Sequence, residues 1–226
     1  MATTSVRSVP WLLEQLEDPF TMFPVEDVAD TLFQAVDETE TRKAEHTDPW
    51  WGVNRRFWSV EQEHYHEKIG LLIGAMFVLG QAAITQTVSI LNELSKHPQA
   101  EGVVPSNKTR KLVAHAATEA KTNLSKIVII NAVSNYFKHV YEWPEQWNVA
   151  MTRGSQAETI SIVLQLGMKP EELPTDNLLR AADCLELHRS DPRALARCIQ
   201  EWREGWARMF YASFRLMDPF TASQPG

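Results

Sequence analysis

A chain of 226 residues, 44% hydrophobic and 23% charged, is long enough for a substantial core and too apolar for wholesale disorder. Its formal charge of −7, from 29 acidic and 22 basic residues, argues against a broadly basic nucleic-acid face and leaves room only for local basic sites. The two cysteines, Cys184 and Cys198, form no Cys-x-x-Cys pair, which disfavours a disulfide framework or a structural zinc site and points to a reducing, cytoplasmic setting.

The opening stretch, MATTSVRSVPWLLEQLEDPF, has neither the basic start nor the unbroken apolar run of a secretory signal. Helical patterning covers about Val9 to Glu17 and Val25 to Ala44, and the loop EHTDPWWGVNRRFWS that follows is rich in tryptophan. Ser59, with Gln62 three residues later, reads as a capping box opening a long helix to about Lys96. Ile69, Ile73, Met76, Gly80, Ala83, Thr87, Ile90 and Leu94 alternate steps of four and three, the seam of an antiparallel helix pair. The uncharged run from Ile69 to Asn92 is long enough to span a bilayer, but its second half carries Gln81, Thr85, Gln86, Thr87, Ser89 and Asn92. Lipid would leave those groups unsatisfied, so a central helix surrounded by others, with no membrane partner, is expected.

His97-Pro98 ends this helix, and Ser106 reads as the cap of a second long one reaching about Glu142, stopped by Pro144. Further helices are expected at about Ser155 to Leu166, closed by Gly167, at Asn177 to Leu187, and from Asp191-Pro192 to about Met217, where Trp202, Trp206, Met209, Phe210 and Phe214 share one side. No segment alternates in strand fashion for long. The expected fold is all-α, a single domain over 1–226: N-terminal short helices and the tryptophan loop to 58, two long antiparallel helices at about 60–96 and 106–142, C-terminal helices over 150–217, and a tail over 218–226.

Within the second long helix, NAVSNYFKHVYEW places Asn131, Asn135 and His139 in one line at steps of four, with Lys138 beside the histidine. Buried amides without partners cost about 1–3 kcal/mol each, so another helix, a second subunit or a ligand has to complete them. Two readings follow: a satisfied polar network between helices, in a structural or interaction protein, or a working site. Glu61 and His64 form one Glu-x-x-His, the pair used twice in di-iron bundles. No second pair occurs, and His64 and His66 lie about 200° apart around a helix, so no metal site and no cofactor is expected.

Asn135 to His139, Asn-Tyr-Phe-Lys-His, resembles part of the HEPN motif, an arginine, a polar residue, three variable residues and a histidine. The resemblance covers about residues 60 to 143. It implies a helical bundle built on two long antiparallel helices, frequently a homodimer with the motifs facing across a cleft. It also implies either metal-independent RNA cleavage or a module acting through protein or RNA contacts, in a microbial stress or defence setting. Under the catalytic reading His139 is the acid/base and Asn135 orients it, with Lys138, Asn131, Arg153, Arg55 and Arg56 as candidate substrate-binding residues. Where the family places its arginine this chain has Ser134, which supplies no positive charge or forked contact to a phosphate.

Overall fold

The computed structural model describes residues 8–18, 22–45, 55–143, 147, 154–187, 191 and 193–214, without the side chains of residues 23, 55–59 and 99. Among the described residues the chain is all-α. The helices are α1 (Val9–Glu17), α2 (Phe23–Glu45), α3 (Arg55–Leu94), α4 (Lys108–Val113), α5 (Lys126–His139), α6 (Ser155–Gln165), α7 (Pro174–Cys184) and α8 (Ala194–Phe214). Strand pairing among these residues is limited to an isolated bridge between Thr118 and Ser125.

α3 is the axis, and α1, α2, α5, α7 and α8 all pack on it. Every residue of the expected seam, Ile69 through Leu94, is buried. Gly74 lies against Phe137 and Gly80 against Ile130, so α5 runs antiparallel to α3 at close range. The apolar run of α3 is long and apolar enough to cross a membrane, yet here its seam faces protein. Trp202, Trp206 and Phe210 of α8 are fully buried and belong to the same hydrophobic cluster as α3 and α5. Cys184 and Cys198 are free thiols.

The expected second long helix over 106–142 is broken. Asn107, one residue past Ser106, caps α4, its Oδ1 accepting from the amides of Thr109 at 2.7 Å and Arg110 at 3.4 Å. α4 then stops at Val113, and His115 takes φ +62°. Tertiary contacts override the helix propensity of Ala114 to Ala117 here. The indole N–H of Trp202 donates to the carbonyls of Lys111 at 3.2 Å and Ala114 at 3.0 Å, and the His115 Cβ packs against Gly205. The Glu119 carboxylate then gathers the backbone N–H groups of Lys121 at 2.9 Å and Thr122 at 2.6 Å into a turn. Asn123 adopts φ +57°, and Ser125 restarts the helix, accepting from Val128 N–H at 3.3 Å and donating to the Leu112 carbonyl at 2.8 Å.

Smaller shifts have local causes. α3 begins at Arg55, which places Ser59 inside the helix rather than at its cap. α7 starts at Pro174, since proline is preorganised for a first turn, and ends at Cys184, where Glu186 turns to φ +56°. α8 starts at Ala194, with the Ala194 N–H donating to the Asp191 carbonyl at 3.1 Å.

Candidate functional site

The polar stripe of α5 meets one residue of α3. The Gln81 side-chain amide donates to Asn135 Oδ1 at 2.8 Å, Asn131 Oδ1 at 3.1 Å and the Asn131 carbonyl at 3.3 Å. Three acceptors face two hydrogens, so one hydrogen is shared. Gln81 Oε1 accepts from Ser134 Oγ at 3.0 Å and from the Lys138 ammonium. Lysine has only donors, which fixes which end of the Gln81 amide faces it. Asn131 and Asn135 are half-buried rather than sealed, and the counterpart they require is an amide from the neighbouring helix.

Ser134, at the position where the HEPN resemblance calls for arginine, is 0% exposed and turned onto α3. An arginine there would project into the seam between the central helices. His139 closes α5, where its side chain is 49% exposed and its Nδ1 lies 3.0 Å from Glu142. Burial, and then the charge of Lys108, lower the Lys138 pKa from its ordinary value. The two ammonium groups therefore act on each other across the same face.

Asn135 stands where two cavities meet. One, of 310 Å³, takes in His139, Glu142, Trp143 and Gln156; the other, of 350 Å³, takes in Asn107, Lys108, Val128, Asn131 and Glu158. Both share Asn135, Ser155 and Thr159, so they form one groove between α5 and α6. Its wall at Trp143 is stiffened by a three-ring cluster. The Tyr136, Trp143 and Trp147 centroids lie 5.4–5.5 Å apart, all edge-to-face. Tyr136 is anchored by Asn177, which donates to its hydroxyl at 3.2 Å, and burial pushes the phenol up to about 12.

The supply of donors decides what the groove can hold. Gln81 engages Oδ1 of Asn131 and Asn135, and their Nδ2 groups have no hydrogen-bond partner among the described residues. The carboxylates nearby are already engaged, Glu158 accepting from Thr109 Oγ1 at 2.7 Å and Glu142 from His139. Two amide donors and the Lys108 ammonium on the lining are left to face an acceptor-rich ligand, while Lys138 is held by Gln81 and His139 by Glu142.

Of the other candidate residues, Arg55 and Arg56 lie in the first turn of α3, their side chains undescribed, and Arg153 is outside the described residues. The structure therefore brings Asn131, Asn135, Lys138 and His139 onto one end of α5. His64 is exposed, while His66 binds Asp176 at 3.1 Å, so the two histidines part as their spacing required. Among the described residues no three His, Cys, Asp or Glu side chains are placed to share an ion. Gln81 is the functional residue that sequence reasoning missed. Its only signal was a polar group next to the seam of an otherwise apolar stretch. Comparison with family models, curated proteins and solved structures finds no match to this chain.

Proposed function

We propose that this protein is a HEPN-like helical module that binds single-stranded RNA in the α5–α6 groove without cleaving it. The observation that carries the reading is a set of donors on the groove lining, the Nδ2 groups of Asn131 and Asn135 and the Lys108 ammonium, with Lys138 within electrostatic reach of Lys108 and each lining carboxylate already accepting a hydrogen bond. Phosphate oxygens and base carbonyls are acceptors, and unpaired bases can enter a cavity that a duplex cannot. Trp143, half-buried on the wall, gives a ring beside which a base fits.

Cleavage needs more than a proton acceptor. A phosphorane carries charge that has to be neutralised where it forms. Ser134 is sealed against α3, and the Lys138 ammonium is held by Gln81. His139, bound to Glu142, supplies acid/base capacity, and among the described residues no guanidinium lines the groove beside it.

The test uses a fluorescein-labelled single-stranded RNA of about a dozen nucleotides, in excess chelator, with binding read by anisotropy. Binding should weaken steeply with salt and fall at least roughly tenfold in Lys108→Glu/Lys138→Glu, while the RNA stays intact with the native chain and with His139→Ala alike. Binding unchanged by the charge reversals removes this reading. Cleavage that disappears with His139→Ala restores the ribonuclease in its place.

A further inference from the structure

A cavity larger than both of those that form the α5–α6 groove shares no residue with it. It has 810 Å³ and runs between the first half of α3 and the start of α7, with the end of α5 as its floor. Phe137, Val140 and Leu178 line its depth. Three apolar side chains stand exposed on its rim: Leu71 is 61% exposed, Leu173 58% and Tyr141 89%. Of the eight large hydrophobics that stand exposed among the described residues, these three gather around one concavity.

Size and rigidity narrow the occupant. A small ligand seated on the floor leaves the three rim side chains wet, whereas a helix covers floor and rim together. Along α3 the groove extends from Gln62 to Leu71, about 14 Å at 1.5 Å per residue, which accommodates anchors at i, i+4 and i+7 of a docked helix. Its walls are preset. A Cβ on Gly70 would lie 2.2 Å from Thr175 Oγ1, so α3 and α7 touch there, and His66 holds Asp176 at 3.1 Å across the same junction.

Charge selects the kind of helix. Glu63 and Glu67 stand one turn apart on the α3 side of the groove, both exposed and neither in an ion pair among the described residues, and they outnumber the one lysine on the lining, Lys43. A two-fold contact between copies of this chain would bring the same acidic rim against itself, in a chain already at −7. A basic partner meets complementary charge. We propose that this groove docks an amphipathic helix of a partner protein, its apolar side chains on Phe137, Leu178 and the Leu71–Leu173–Tyr141 rim, and its lysines or arginines against Glu63 and Glu67.

The probe is a fluorescent synthetic helix of about 18 residues with leucines at i, i+3, i+4 and i+7 and lysines elsewhere, compared with the same leucine stripe carrying glutamates. At physiological ionic strength the lysine peptide should bind, and the glutamate peptide should bind at least roughly tenfold more weakly. Leu71→Asp/Tyr141→Asp should cost the lysine peptide at least roughly tenfold in affinity. Glu63→Lys/Glu67→Lys should invert the preference between peptides. The latter variant leaves every apolar lining residue in place, so it decides the matter even if the aspartates disturb folding. Equal affinity for both peptides, or rim substitutions without effect, overturns the proposal. So does self-association of the native chain that Leu71→Asp/Tyr141→Asp abolishes, because a second copy is then the occupant. RNA binding should be the same in all these variants, so loss of one reading is distinguishable from loss of the other.

Discussion

Gln81 closes five contacts with one amide, and its removal is the sharpest single-residue test. Gln81→Leu leaves Ser134 Oγ sealed without an acceptor and both Asn131 and Asn135 without a donor. Stranding such groups in a partly buried seam should cost about 2–3 kcal/mol, read as a fall in the urea midpoint at unchanged slope. His139→Ala, by contrast, should change stability by less than about 0.5 kcal/mol, because the ring is half exposed and its partner Glu142 lies on the surface. A large loss of stability in His139→Ala would mean that the histidine belongs to the same structural lock as Gln81. Ser134→Arg asks whether the motif can be completed. The side chain has no exposed path, so the variant should be destabilised by several kcal/mol and gain no RNA cleavage, with cleavage in chelator the result that contradicts this.

At the scale of elements, the rule that matters is which helices carry their own boundary signals. α1 follows its predicted span, and the α3 seam is buried at every position, because a long apolar repeat and flanking prolines are local facts. The break between α4 and α5 was not legible. Ala114 to Ala117 favours helix, and what ends it is an indole N–H from Trp202, some 90 positions away in the sequence. Trp202→Phe keeps the ring but removes that donor, leaving the Lys111 and Ala114 carbonyls without it, and should cost about 1–3 kcal/mol by thermal or urea unfolding. A neutral result would mean that the Glu119 turn and the Ser125 cap alone hold the break. The candidate site divides the same way. Its α5 half was readable as a stripe with period four, while its α3 half, Gln81, carried no pattern that named its partner. The bond from Thr109 Oγ1 to Glu158 joins segments 49 residues apart and carries no mark in the sequence.

For the molecule as a whole, acid is the condition that should expose how the break is built. His115 sits at its centre with φ +62°, its Nε2 3.0 Å from the Met209 sulfur and its ring edge-on to Trp206 at 4.8 Å. Burial there lowers its pKa below the ordinary value of 6.5. The unfolded chain then takes up this proton before the folded chain does. The contribution of neutral His115 is complete above about pH 6.5 and is lost as pH falls through the lowered folded value. Glu119 acts in the same sense further down. Amide N–H donors from Lys121 first, then the Thr122 hydroxyl and amide, hold its carboxyl below the usual carboxylate range, so its contribution disappears only when acid protonates it. Two windows of acid destabilisation should therefore appear in a plot of Tm against pH. In His115→Asn, which tolerates the left-handed backbone, the upper window should flatten while the lower one remains. A native Tm that is level between neutral pH and pH 5, or an unchanged slope in His115→Asn, would place the acid sensitivity of this fold outside the junction that separates α4 from α5.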